Sequence, residues 1–224
     1  VTSKFPSEIK SCAKDAATRL GKALDFLEWP NGEKDAPCHE INALINLQVA
    51  LSKLDPEYHF YSEGVIADRG RVDLIASNGN ISLAIEAKSF GKINERSESV
   101  RRDVERLHKY TPAYFRGNTD SKINEWWEKS TSRWGLILIT SFRGDEVSDA
   151  WMSEDTRSAA KIMEKYPRKA DRPTVDGSGF IALHSLPWSD RFAYPISLTE
   201  RWSSTGKGWL LGGAVSLPPV PAAI

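Results

Sequence analysis

The chain has 224 residues, 40% of them hydrophobic, and its 30 basic and 30 acidic side chains cancel. That size and apolar content suit one well-buried domain, and the neutral balance excludes a bulk electrostatic pull toward nucleic acid or an anionic membrane, leaving such roles to local basic surfaces. Cys12 and Cys38 show no CxxC or Cys/His metal spacing, and two cysteines in a chain of this length do not make a disulfide framework; no apolar run is long enough to cross a bilayer, and the opening VTSKFPSEIK lacks the apolar core of a signal peptide. The expected setting is the reducing cytoplasm, with no membrane partner.

Residues 7–29 carry apolar side chains at helical spacing, Ile9, Ala13, Ala16, Ala17, Leu20, Leu24 and Leu27, with Ser7 as N-cap; Gly21 weakens the expectation that this helix is continuous. A breaker-rich connection around Pro30–Gly32 and Asp35–Pro37 leads to a second helix over 38–54, whose stripe is Glu40, Leu44, Leu47, Leu51 and Leu54. Glu40 heads that stripe, either as a carboxylate aimed toward the strands that follow or as a first-turn residue favoured by the helix dipole. Residues 58–66, YHFYSEGVI, read as a strand carrying Glu63, which is either a further acidic ligand or a solvated edge residue.

The stretch RVDLIASNGNISLAIEAKSF, residues 71–90, reads as a hairpin, because Asn78-Gly79 between two strand-like runs suits a type I′ turn. A turn there sets Ser77 opposite Asn80, Asp73 opposite Ala84 and Val72 opposite Ile85. Strand alternation then puts Val72, Leu74, Ala76, Ile81, Leu83, Ile85 and Ala87 on one apolar face. Asp73, Ser82, Ala84, Glu86 and Lys88 share the other, expected to be a wet face with room for a large ligand. Asp73 is a diagonal neighbour of Glu86, roughly 7–8 Å away, with Lys88 one step further.

Two carboxylates on one face need a countercharge. Hard oxygen ligands suit Mg²⁺, with Mn²⁺ as its substitute, and the Ala87 carbonyl between Glu86 and Lys88 is a further candidate ligand. Lys88 is a proton-exchanging, mobile cation able to orient a nucleophilic water, help deprotonate it or stabilise developing charge. The bland alternative is an ordinary solvated face with a cross-strand ion pair.

Beyond the hairpin, ERSESVRRDVERLHKY predicts a charged helix over 95–110 with Val100, Val104 and Leu107 inward. Its interleaved charges read mainly as a solvated face, with Lys92, Arg101 and Arg102 as candidate phosphate contacts. A short helix is expected within 111–133, and WGLILITSF, 134–142, reads as a central strand buried on both faces. Residues 148–165 read as one helix, 166–173 as a basic loop, and Phe180–Leu183 and the stretch around Tyr194–Leu198 as short strands. GWLLGGAVSLPPVPAAI shows no strand or helix period over its last residues and reads as an apolar tail.

Asp73 followed by a strand bearing Glu86-Ala87-Lys88 resembles the PD-(D/E)xK nuclease superfamily, the restriction-endonuclease-like folds, with Val72 where the motif has Pro. The resemblance covers about 38–142. It implies an α/β fold with an αβββαβ core, a mixed sheet flanked by helices, within an organisation of N-terminal helix and linker (1–37), core (38–142) and helical, short-strand extension of the same domain (143–224). It also implies Mg²⁺-dependent cleavage of DNA, with Asp73 and Glu86 as metal ligands, Lys88 beside the attacking water, and an additional helix carboxylate that maps to Glu40. A restriction-like or defence enzyme cutting both strands as a homodimer is the leading expectation. A repair-type nuclease for branched or single-stranded DNA and a non-catalytic nucleic-acid-binding scaffold are the alternatives.

Overall fold

The computed structural model describes residues 4–26, 40–65, 71–89, 97–108, 121–141, 145–164, 178–198 and 207–217. The strands are β1 (His59–Val65), β2 (Arg71–Ser77), β3 (Ile81–Ser89), β4 (Ser132–Ser141), β5 (Asp190–Ser197) and β6 (Lys207–Ser216). The helices are α1 (Ser7–Phe26), α2 (Glu40–Leu54), α3 (Ser97–His108), α4 (Ser121–Lys129), α5 (Asp145–Met152), α6 (Thr156–Glu164) and α7 (Ser178–His184). Among the described residues the strands form one mixed sheet in the order β1-β2-β3-β4-β6-β5, in which β3 and β4 run parallel and the other neighbours antiparallel. α3 and α4 lie in the crossover between those two strands, as a parallel pair requires.

Helices cover both faces. On one, α1 and α2 bury Ile9, Ala13, Leu20, Leu24, Leu47 and Leu51 against Leu74, Leu83, Ile85, Leu136 and Leu138. On the other, Val104 and Leu107 of α3, Trp127 of α4 and Trp151 of α5 pack with Ile75, Ala84, Ile137 and Ile139. β4 is buried throughout its apolar run, as a strand with elements on both faces must be. Among the described residues no helix is long and apolar enough to cross a membrane.

The hairpin differs from expectation in register but not in parity. Leu74 pairs with Ile85, Ala76 with Leu83 and Ser77 with Ser82, so each β2 residue sits two places further along β3 than a turn centred on Asn78-Gly79 would put it. Asn78 is the cause. Its Oδ1 accepts the N–H groups of Asn80 and Ile81 at 3.1 and 2.9 Å, an Asx turn, while its Nδ2 donates to Asp55 at 2.7 Å. The turn therefore centres on Gly79-Asn80, with Gly79 at φ 82°. A two-residue shift preserves the alternation of faces where the two strands pair, from Leu74 to Ser77.

Two expectations about those faces fail. Val72 packs with the α3–α5 cluster rather than with Leu74 and Ala76, because β2 leaves regular pairing with β3 beyond Leu74. The supposed wet face is covered: Ser82, Ala84 and Glu86 are all buried. The Ser82 hydroxyl instead joins those of Ser77 and Ser130 in a buried chain tying the hairpin to the end of α4.

Elsewhere, α1 runs unbroken through Gly21, and a Cβ there would clash with the Ser197 carbonyl oxygen of β5, so glycine is what permits helix and strand to approach. The Pro6 carbonyl accepts the Lys10 N–H, so Ser7 already lies inside the helix rather than capping it. Leu54 is exposed at the end of α2. The single helix expected over 148–165 is broken between α5 and α6, where the Ser153 hydroxyl donates to the Ala150 carbonyl and Asp155 caps α6 through the N–H and hydroxyl of Ser158. Phe180–Leu183 is helical, not extended: Phe180 and Leu183, three apart, are the buried face of α7. The first part of the apolar tail belongs to strand β6, whose Gly212 and Gly213 lie beneath the Phe192 and Trp188 rings, so the glycines make room rather than break the strand, and its last residues, 218–224, lie outside the described residues. Leu27, Cys38 and the basic loop 166–173 lie outside the described residues.

Candidate active site

The site forms where the regular β2–β3 pairing ends. In place of a ladder rung there, the Ala87 N–H donates to Asp73 Oδ2 at 2.8 Å. Glu86 and Lys88, two apart on β3, project to the face that α3 covers. Lys88 Nζ donates to Glu86 Oε2 at 2.9 Å and stands 3.9 Å from Asp73 Oδ2. Asp73, Glu86 and Lys88 are therefore gathered round a single ammonium group.

A fourth member comes from α3: Asp103 Oδ2 lies 3.1 Å from Lys88 Nζ. In sequence Asp103 belongs to the interleaved charges of a helix expected to present a solvated face. Its helical spacing held the missed signal, since it falls three residues after Val100 and four before Leu107, on the inward stripe. The side chains grade from outside in, with Asp73 36% exposed, Lys88 17%, Asp103 14% and Glu86 2%.

Burial dominates the protonation of Glu86, raising its pKa to about 7, and the Asp73 and Asp103 carboxylates push the same way while Lys88 opposes them. For Lys88, burial alone lowers the pKa, but Glu86, Asp103 and Asp73 outweigh it and hold the ammonium well above its ordinary range. Lys88 is a fixed cation here rather than a free base, beside a carboxyl close to its titration point at neutral pH.

Glu40 reaches the end of β3 by another contact: its Oε1 accepts the Ser89 N–H at 3.2 Å. Glu63 lies in β1 between the pairs Ser62–Leu74 and Gly64–Val72, so its backbone is across from Asp73; its side chain is outside the described residues. Arg101 and Arg102 are exposed on α3, Arg101 within 3.7 Å of Glu105. Lys92 lies outside the described residues.

Among the described residues no three His, Cys, Asp or Glu side chains converge as a metal-ligand group. The available donors nevertheless have the right chemistry for a hard divalent ion: an accessible carboxylate, Asp73, and a buried one, Glu86, that only a nearby cation can keep ionised. As placed, the lysine ammonium stands between them. Comparison with protein-family models, curated proteins and solved structures finds no match.

Proposed function

We propose that the protein is a Mg²⁺-dependent DNA endonuclease, restriction-like or defence-associated, with Asp73, Glu86 and Lys88 as its catalytic set. One observation carries the reading: residues from two strands, acidic, acidic and basic, meet within one ion-pair cluster at the opened end of the hairpin, and the most exposed of them is Asp73. The same residues carry the resemblance to the PD-(D/E)xK nucleases. The burial of Glu86 weighs against an ordinary solvated face.

In this reading Asp73, Glu86 and the Ala87 carbonyl hold the ion, with Glu40 and Glu63 as secondary candidates. Bound there, Mg²⁺ or Mn²⁺ would polarise the scissile phosphate and lower the pKa of a coordinated water. Glu86 contributes buried negative charge, released as its proton leaves near neutral pH. Lys88 holds positive charge beside the attacked phosphate and orients the water, and Asp73 is fixed in direction by the Ala87 N–H. Arg101 and Arg102, exposed on α3, and Lys92 would contact phosphates, and two copies would cut the two strands.

A second reading, a non-catalytic nucleic-acid-binding scaffold, draws on the ion pairs that Lys88 makes with Asp73, Glu86 and Asp103, which hold the cluster together as a structural unit. Incubating plasmid and oligonucleotide substrates with Mg²⁺, Mn²⁺ or EDTA, beside Glu86→Ala and Lys88→Ala, decides between them. Metal-dependent cleavage lost in both variants supports the enzyme; cleavage that survives both sinks the site, and binding without cleavage under any metal favours the scaffold. Duplex against forked or single-stranded substrates separates a restriction-like enzyme from a repair-type one.

A further inference from the structure

Lys88 is held from two elements at once. Glu86 is its neighbour on β3, whereas Asp103 approaches from α3 across the covering layer, at 2.9 and 3.1 Å respectively. A divalent ion bound to Asp73 and Glu86 would have to occupy the space where the ammonium stands, and two cations a few Å apart repel strongly in a site of low dielectric. The lysine stem is flexible, so its head can leave Glu86 by rotation without leaving Asp103.

We propose that Asp103 is a positioning residue that receives the Lys88 ammonium when a divalent cation enters between Asp73 and Glu86. The inference rests on the metal-dependent reading of the site and adds to it a resident counter-ion, Lys88, which the metal displaces rather than joins. Held on Asp103, Lys88 stays beside the metal and keeps its charge paired, so it remains available to the reacting phosphate. Without Asp103, the ammonium has no paired position away from Glu86 among these three carboxylates except beside Asp73, the other ligand.

The test is calorimetric titration of Ca²⁺ into the full chain without DNA, for wild type, Lys88→Met, Asp103→Asn and the double variant, with plasmid cleavage in Mg²⁺ run beside it. Removing the competing ammonium should tighten Ca²⁺ binding about tenfold or more, and Asp103→Asn should weaken it by about tenfold, within the range of residues that orient metal sites. The double variant should bind more tightly than Asp103→Asn, with the Asp103→Asn penalty shrunk to the direct pull of the lost charge, because the positioning role of Asp103 acts through Lys88. Lys88→Gln replaces Lys88→Met if thermal melts show the latter unfolded. Asp103→Asn binding as tightly as wild type overturns the inference, as does a double variant as weak as Asp103→Asn, which would make Asp103 a ligand. Ca²⁺ binding that follows the expected pattern without cleavage supports the exchange and removes the nuclease; no Ca²⁺ binding in any variant removes both.

Discussion

Asp73 and Ala87 are joined by a hydrogen bond in which a main-chain N–H donates to a side-chain oxygen, 2.8 Å apart, at the point where β2 and β3 stop pairing. Asp73 therefore both caps an open strand and faces solvent. The two roles separate by substitution. Asp73→Asn keeps an acceptor for the N–H but loses the charge, and should unfold within about 0.5 kcal/mol of wild type while cleaving at least ~100-fold more slowly. Asp73→Ala should cost a further ~1–2 kcal/mol. Urea unfolding beside single-turnover cleavage distinguishes them, and full activity in Asp73→Asn would contradict the assignment.

Glu86 makes the metal-free protein pH-sensitive in a stated direction. Its folded pKa, about 7, exceeds the ordinary 4.5, so the folded state binds the proton more tightly than the unfolded chain. The stability this supplies is complete below about pH 4.5 and is lost as pH rises to about 7. The loss amounts to roughly 3 kcal/mol at about 1.4 kcal/mol per unit. In EDTA, urea midpoints should fall over that window for wild type and less steeply for Glu86→Gln. Parallel pH profiles for the two proteins would refute this.

Gly21 bears on stability alone. A methyl group there meets the Ser197 carbonyl, so Gly21→Ala, which would strengthen an isolated helix, should instead destabilise the protein by ~1–3 kcal/mol through displacement of α1 from β5. Chemical denaturation measures it. An increase in stability would mean that helix and strand can move apart without loss.

The buried hydroxyls of Ser77, Ser82 and Ser130 form a chain with Ser82 at its centre. Ser82→Ala should cost ~1–3 kcal/mol, since it strips a partner from two other buried groups. Ser77→Ala together with Ser82→Ala should cost less than the sum of the single changes. Strict additivity would show that the hydroxyls act independently.

Parity was the legible part of the hairpin. Alternation along β2 and β3 places Asp73 and Glu86 within reach of one ammonium whether the turn centres on Asn78-Gly79 or Gly79-Asn80, since the two differ by two residues. The choice between them rests on Asn78, whose Asx turn is local but whose side chain is also held by Asp55, 23 positions earlier, a contact that belongs to the folded chain. Asp103 was hidden because a charged residue on a charged helix looks solvated until its place on the inward stripe is weighed. The cover over Ser82, Ala84 and Glu86 comes from helices of the β3–β4 crossover, which strand alternation cannot report. In β6 the signal was inverted, since Gly212 and Gly213 suggest a break when read alone and accommodate Phe192 and Trp188 in the fold.

The position of β6 between β4 and β5 has a cost during synthesis. Emerging from the ribosome, β4 can pair with β3 on one side, but its other edge has no partner until residues 207–216 follow. Until then WGLILIT is an apolar edge open to pairing with another nascent chain. A fragment covering 38–142 would carry Asp73, Glu86, Lys88 and Asp103 complete, and its expected fate is self-association rather than catalysis.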